Sequence, residues 1–151
     1  MINVFDGEFA FLSNFYPSPI TDEQGITYPT VEHYFQAQKT LNMAERIAIA
    51  EAETPGRAKR MGRIVDLRHD WEAIKIDVMR QGLEMKFQDA NLRARLLETG
   101  SMPLVEGNTW HDNTYGDCSC IRCKNIIGKN ILGKLLMDLR TKLINQEFIP
   151  Q

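Results

Sequence analysis

Apolar side chains recur three and four positions apart between residues 71 and 88, and this is the clearest periodic pattern in the chain. Such spacing predicts an α-helix, because residues three and four apart share one helix face. The apolar arc is wide, which predicts that much of this helix is buried. Its members are Ile74, Ile76, Val78, Met79, Leu83, Met85 and Phe87.

Weaker patterns predict further helices over residues 31–40, 44–52 and 92–100, and a short basic helix that ends near residue 61. Thr30 is the expected N-cap of the first helix, and Asp70 is the expected N-cap of the long one. A C-terminal amphipathic helix is predicted from Ile131, Leu132, Leu135, Leu136, Leu139 and Leu143.

Strands are predicted only as short pieces. One covers residues 2–5, another covers 104–105, and a hairpin surrounds the loop Thr-Asp-Glu-Gln-Gly at residues 21–25. No repeat, low-complexity segment or linker divides the sequence. We therefore expect an α+β fold, with a small sheet and a single helix-rich domain over residues 1–151.

Composition narrows the class of protein. The 151 residues are 43% hydrophobic and 25% charged, and 18 basic against 20 acidic side chains give a net charge of -2. A long-range basic field for nucleic acid is therefore excluded, although a local basic patch stays open. We expect no membrane span, because the sequence has no long apolar run. We also expect no secretory signal, because the first residues do not show a basic start followed by an apolar stretch. The three cysteines are odd in number and lie close together in the sequence, which indicates a reducing compartment. We therefore expect the cytoplasm.

The predicted helix over residues 31–40 places an acid, an amide and an amine on one face. Glu32, Gln36 and Lys39 fall at positions i, i+4 and i+7. This face can carry chemistry if it lines a cleft. In the alternative, Glu32 only complements the helix dipole and Lys39 is a solvated lysine near the helix end.

A polar, irregular segment runs from residue 106 to residue 130, and loops of this length are usually functional or disordered. Its tryptophan, tyrosine and aspartates favour a functional loop. Within it, Asp112 and Asp117 flank Tyr115 and Gly116. The ring offers a face on which a base can stack, and the glycine allows the backbone to approach a ligand closely. A turn-rich surface loop is the alternative, since Asp and Asn favour turns for local reasons.

The same segment contains a CxCxxC motif formed by Cys118, Cys120 and Cys123. A closed zinc site needs four ligands, and His111 is the nearest fourth one. The spacing matches no common zinc motif, so we expect reduced thiols, no metal and no other cofactor.

A local positive bias marks residues 57–68. These side chains are suited to phosphate or pyrophosphate, with a solvated helix face as the alternative. Trp71 follows, and we expect it in the core more readily than in a stacking contact. The basic members are Arg57, Lys59, Arg60, Arg63 and Arg68.

Over nearly the whole chain, the order of these segments resembles the NADAR family, which includes YbiA-like N-glycosidases. The matching segments are FLSNFY at 11–16, YPTVEHYFQAQK at 28–39, RMGR at 60–63, LRHDW at 67–71, LLETG at 96–100 and NILGKLLMDLR at 130–140. The second and the last are long enough to be specific.

The resemblance implies a single-domain α+β fold and N-glycosidase activity, in which the bond between ribose C1 and a base nitrogen is cleaved. It also implies a nucleotide or ADP-ribosyl substrate and no membrane partner. We expect ADP-ribosylated guanine in DNA or RNA, and the phosphoribosylamino-pyrimidine intermediates of riboflavin synthesis are the alternative. A module that binds ADP-ribose or a related nucleotide without turnover is the alternative to an enzyme. The sequence leaves the oligomeric state open.

The resemblance maps the family's functional positions onto Glu32, Lys39, Trp71, Asp112 and residues 115–117, and the other site residues are candidates from this sequence itself. Tyr115 stands where many family members carry tryptophan, and the cysteine-rich insert is shared with only a subset of them. The catalytic set is Glu32, Lys39, Asp112 and Asp117. The substrate-binding set is Asn14, Phe15, Gln36, Arg60, Arg63, Arg68, Trp71, Tyr115 and Gly116.

A mechanism can be assigned to the catalytic set. The carboxylate of Glu32 would stabilise the positive charge that develops on the sugar carbon. Asp112 or Asp117 would protonate the leaving base or activate water. Lys39, if its amine is neutral, would attack the sugar carbon and form a transient imine.

Overall fold

The structure is a computed structural model that describes residues 1–147. Contacts within the chain divide it into two compact units. One is Asn14–Asp89, and the other combines Met1–Ser13 with Ala90–Gln151. In the described part of the chain, no helix is long and apolar enough to cross a bilayer.

The unit Asn14–Asp89 contains a hairpin and a cluster of helices. Strands β1 (Ile20–Thr21) and β2 (Thr27–Tyr28) pair antiparallel, which confirms the predicted hairpin. Helix α1 is buried along its whole length and packs against the other three, so it forms the centre of this unit. The helices are α1 (Val31–Ala37), α2 (Met43–Ala50), α3 (Pro55–Met61) and α4 (Trp71–Lys86).

Polar caps fix where α1, α2 and α3 begin. The side chains of Thr30, Asn42 and Thr54 each accept a hydrogen bond from the backbone N–H three residues later. These bonds satisfy donors that a helix start leaves unpaired. Asp70 stands at the N-cap of α4 as predicted, but its side chain makes no capping bond and pairs with Arg68 instead.

Two further predictions for this unit need correction. Helix α1 ends at Ala37 rather than at residue 40, since the carbonyl of Lys39 accepts from the backbone N–H of Arg68 at 2.8 Å instead of continuing the helix. The buried face of α4 is narrower than its sequence pattern suggests. Ile76 is 37% exposed, while Lys86 is buried.

The second unit is built on two helices and short strands. The predicted strands at 2–5 and 104–105 reduce to one bridge between Ile2 and Leu104, because the chain turns into a 3-10 helix at Gly7, whose φ is 55°. Leu132, Leu135, Leu136 and Leu139 of α6 are buried as predicted, whereas Leu143 is only half-buried. Helix α5 packs against α6. The elements are the 3-10 helix Gly7–Leu12, α5 (Ala90–Glu98), the parallel strands β3 (Gly107–Asn108) and β4 (Asp117–Cys118), the 3-10 helix Ile121–Cys123, and α6 (Ile131–Glu147).

Helices packed with short strands in both units make this an α+β fold, as the sequence predicted.

Candidate active site

Glu32 and Gln36 meet on α1, as their spacing predicted. Gln36 Nε2 donates to Glu32 Oε1 at 2.8 Å, and only 8% and 4% of the two residues are exposed. The backbone N–H of Glu32 donates to the carbonyl of Asn14 at 3.1 Å. Burying a carboxylate costs free energy unless it is paired, so a carboxylate fixed in this way is a candidate for chemistry.

Two buried acceptors next to this pair have no hydrogen-bond partner among the described residues. They are Gln36 Oε1 and Asn14 Oδ1. Buried polar atoms in native proteins are nearly always satisfied, so each unsatisfied acceptor needs an explanation. A substrate hydroxyl or amino group that donates to them would supply it.

Gly62, at the end of α3, lets the chain approach Gln36 closely. A Cβ at this position would lie 1.9 Å from Gln36 Oε1 and 2.9 Å from its Cδ. Only a residue without a side chain fits there while Gln36 keeps its bond to Glu32. The glycine of the RMGR segment therefore allows Gln36 to keep its hydrogen bond to Glu32.

Lys39 lies in the turn that follows α1, just outside the regular helix on which its spacing placed it. Its side chain is half-buried, and burial lowers the pKa of its amine. The carboxylate of Glu32 opposes that shift, whereas Arg63, Lys59 and Lys75 add to it. The amine of Lys39 thus interacts with the carboxylate of Glu32, and the surrounding side chains carry more positive than negative charge.

The remaining predicted binding residues of this unit fall into two classes. Arg60 and Arg63 are exposed, and Phe15 is 45% exposed, so all three are accessible. Arg68 instead holds both carboxylate oxygens of Asp70, at 2.6 and 3.1 Å. Trp71 is buried and packs edge-on against Phe35 with ring centroids 5.0 Å apart, which favours the core interpretation.

Lys86 is a buried amine that sequence reasoning missed. Only 1% of the residue is exposed, and its Nζ lies 5.7 Å from the ring centre of Tyr16 and 5.3 Å from that of Phe87. Burial lowers its pKa to about 7. The one signal in the sequence is its position on the apolar stripe of α4, three residues after Leu83.

A cleft of about 590 Å³ in the same unit is separate from the Glu32 pair. Of the predicted site residues it includes only Arg68. Its lining is Asp22, Glu23, Gln24, Tyr34, Gln38, Leu41, Met43, Arg46, Arg68, Gln81, Glu84, Met85 and Gln88.

In the other unit, the two predicted aspartates hold turns of the loop. Asp112 Oδ1 accepts from the backbone N–H of Thr114 at 3.1 Å and of Tyr115 at 2.9 Å. Asp117 Oδ1 accepts from the backbone N–H of Gly128 at 3.0 Å. Both aspartates and Tyr115 are half-buried. The turn-forming role that the sequence left open is therefore present, and it fixes the direction of both carboxylates.

Gly116 packs against the backbone of its own loop. It is buried, and a Cβ there would lie 2.3 Å from the carbonyl oxygen of Glu106. Four metal-binding side chains also meet in the loop, since the ligand atoms of His111, Cys118, Cys120 and Cys123 all lie within 4.8 Å of one another. The spacing of CxCxxC did not predict that meeting.

Comparison with known proteins places these features in a family. Residues 4–144 match the NADAR domain. N-glycosidase YbiA of Escherichia coli (strain K12) is 46% identical over 113 residues, which are 73% of this chain and 69% of that protein. Riboflavin biosynthesis protein VVA0006 of Vibrio vulnificus (strain YJ016) is 38% identical over 115 residues, 74% of this chain and 31% of that protein.

A solved structure agrees with the sequence matches. The NMR structure of Escherichia coli YbiA superposes with a TM-score of 0.82 at 40% identity, covering 100% of this chain and 91% of that one.

Proposed function

Because this chain belongs to the NADAR family and is an N-glycosidase, we propose that it hydrolyses the ribose C1–N bond of ADP-ribosylated guanine. The observation that carries the proposal is the buried hydrogen bond between Glu32 and Gln36, with the half-buried amine of Lys39 in electrostatic reach. A fixed acid beside an amine of lowered pKa is a pairing suited to cleavage at a sugar carbon.

In this proposal Glu32 stabilises the sugar. As the C1–N bond lengthens, positive charge develops on C1, and a carboxylate that is already oriented lowers the energy of that state. Gln36 holds Oε1 of Glu32 in place, and its own unsatisfied Oε1 accepts from a ribose hydroxyl.

The leaving base needs a proton, and Asp112 or Asp117 supplies it. Each carboxylate accepts hydrogen bonds from backbone N–H groups, and these bonds hold it in one orientation. Such preorganisation favours a proton transfer along a defined direction. Tyr115 offers its ring for stacking the base in the same loop.

Lys39 forms the covalent intermediate. Its neutral amine attacks C1, the C1–N bond to the base breaks, and the base leaves with that electron pair and a proton. The amine nitrogen loses one proton to water and passes a second to the ring oxygen as the C1–O bond opens, which gives an imine. Water then adds to C1, the C1–N bond to the lysine breaks, and the sugar leaves as its open-chain aldehyde.

Positive charge around Lys39 supports a phosphorylated substrate. Lys59, Arg63 and Lys75 all act on its amine, and Arg60 and Arg63 are exposed. Several cations can pair with a pyrophosphate, which favours ADP-ribose over a single phosphate. The phosphoribosylamino-pyrimidine intermediates are the second candidate, because a relative with 38% identity is named a riboflavin biosynthesis protein. The three free cysteines support a reducing compartment, and we propose the cytoplasm.

A mass-spectrometric assay tests the substrate. The protein is incubated side by side with guanine-ADP-ribosylated DNA and with the phosphoribosylamino-pyrimidine. We expect ADP-ribose to be released from the DNA. Release of ribose phosphate from the pyrimidine alone would establish the second candidate, and binding of ADP-ribose with turnover of neither substrate would favour a binding module.

A further inference from the structure

Four side chains that bind metals converge in the loop over residues 106–130, and none of them has a part in the proposed reaction. His111 Nδ1 lies 3.2 Å from Cys120 Sγ and 3.5 Å from Cys123 Sγ. With Cys118 included, all four ligand atoms lie within 4.8 Å of one another. They come from the loop itself, the end of β4 and the 3-10 helix Ile121–Cys123.

These separations suit one tetrahedral ion. With Zn–S bonds of about 2.3 Å and Zn–N bonds of about 2.0 Å, neighbouring ligand atoms lie roughly 3.5–3.8 Å apart. The two separations of His111 Nδ1 from the sulfur atoms of Cys120 and Cys123, 3.2 and 3.5 Å, and the upper limit of 4.8 Å for all four atoms bracket that range. Small side-chain movements therefore bring all four atoms into the first coordination sphere.

We propose that His111, Cys118, Cys120 and Cys123 bind one zinc ion. Three thiolates and an imidazole are a donor set that selects zinc over magnesium or calcium, which prefer oxygen. With four protein ligands the site is closed and leaves no position for water, so the ion is structural and not catalytic.

Hydrogen bonds to the sulfur atoms support this assignment. The backbone N–H groups of His111 and Cys120 donate to Cys118 Sγ at 3.3 and 3.5 Å. Asn113 Nδ2 donates to Cys123 Sγ at 3.3 Å. Outer donors of this kind orient ligating thiolates and stabilise their negative charge.

The loop around the cluster also has little apolar packing of its own. Trp110, Ile121 and Ile127 are 60%, 82% and 94% exposed. Hydrophobic burial of these side chains therefore does not hold the segment together, whereas a metal cross-link would.

The site has a consequence for the candidate catalytic loop. Asp112 directly follows His111, and Asp117 directly precedes Cys118. An ion bound by the two neighbouring ligands fixes the backbone on which both carboxylates stand. The proposed ion thus supports the proton donor while staying outside the chemistry, and the metal site can be tested whether or not the proposed substrate is correct.

The first test measures zinc in the protein as it is purified. Protein without an affinity tag is expressed with zinc, dialysed under reducing conditions and analysed by plasma mass spectrometry. We expect about one zinc per chain, and its loss in His111→Ala and Cys123→Ser. The matched controls are His69→Ala, an exposed histidine outside the cluster, and Ile121→Ser, an exposed residue within the loop. Both controls should retain the ion.

A second measurement does not depend on how the variants fold. Wild-type protein stripped of metal is titrated with Co²⁺, and we expect the ligand-field and thiolate-to-cobalt charge-transfer bands of a tetrahedral site, saturating at about one equivalent. Added Zn²⁺ should displace the cobalt and raise the melting temperature of the stripped protein. Purified protein that carries no zinc and gives no such bands overturns the proposal, as does zinc that persists in Cys123→Ser or iron in its place.

Discussion

Lys39 and Lys86 are both amines whose pKa burial lowers, and the carboxylate of Glu32 acts on the amine of Lys39. Addition of borohydride during turnover is expected to trap a reduced adduct on the peptide that contains Lys39. The imine carbon accepts hydride, which makes the adduct stable. Lys39→Arg should abolish both the adduct and turnover.

The two lysines make the experiment specific. An adduct found on the Lys86 peptide would move the covalent role there. Failure to trap any adduct in an enzyme that is demonstrably turning over would reduce Lys39 to an electrostatic role.

Prediction at the residue scale succeeded where spacing within one regular helix was enough. The i, i+4 relation of Glu32 and Gln36 fixed their contact before any tertiary structure was known. The end of α1 was predicted three residues too late, because the backbone N–H of Arg68, which is distant in sequence, donates to the carbonyl of Lys39. The burial of Lys86 and the meeting of His111 with the cysteines are tertiary events that no local pattern encodes.

At the scale of elements, the close approach of α3 to α1 holds Gln36 in its hydrogen bond to Glu32. Gly62→Ala is expected to push Gln36 away from Glu32, because the new methyl group would overlap its amide. Overpacking of this kind costs about 1–3 kcal/mol of unfolding free energy. We expect turnover to fall roughly 10-fold or more, as the carboxylate loses its orientation.

Gly56→Ala is the matched control, since the nearest atom to a Cβ at that glycine of α3 is at 3.9 Å. Steady-state kinetics and urea denaturation are compared for both variants. Equal turnover in Gly62→Ala and in the control would show that Gln36 does not position Glu32.

The buried amine on α4 makes stability depend on pH. Burial lowers the pKa of Lys86 to about 7 from an ordinary value of 10.5. Between these values the unfolded chain binds a proton that the folded chain lacks, so the free energy of unfolding should rise with pH, by about 1 kcal/mol per unit at most. Below this window both states are protonated and the contribution to the slope vanishes.

Lys86→Met should remove that slope, and urea denaturation at several pH values between about 7 and 10 measures it. Lys134→Met, at an exposed lysine of α6, is the control and should leave the slope unchanged. A Lys86→Met variant with the wild-type pH dependence would show that the amine stays charged in the folded protein.

For elements, hydrophobic period and capping chemistry were informative. The hairpin, α3, and the existence of α1, α2, α4, α5 and α6 follow from apolar spacing together with residues such as Thr30 and Pro55. The strands at 2–5 and 104–105 did not form as predicted, because two short apolar runs do not specify how many residues pair. The exposure of Ile76 was not predicted, because an apolar arc does not reveal which part of it a neighbouring element covers.

At the scale of the whole molecule, the chain is proposed to be a single domain over residues 1–151, although contacts group it into two compact units. We expect one cooperative thermal transition, with calorimetric and van't Hoff enthalpies that agree. The measurement is scanning calorimetry of zinc-loaded protein, checked by far-ultraviolet circular dichroism. Two separate transitions would show that the units unfold independently and would contradict the single-domain prediction.

The proposed mechanism requires the buried carboxylate of Glu32 to act at the ribose carbon. The decisive measurement compares single-turnover cleavage of ADP-ribosylated guanine in DNA by the wild type, by Glu32→Gln and by the exposed control Glu51→Gln. We predict that Glu32→Gln loses at least about 100-fold in rate, while it keeps the melting temperature and the control keeps both. Cleavage by Glu32→Gln at the wild-type rate would contradict the role of Glu32 and, with it, the proposed mechanism.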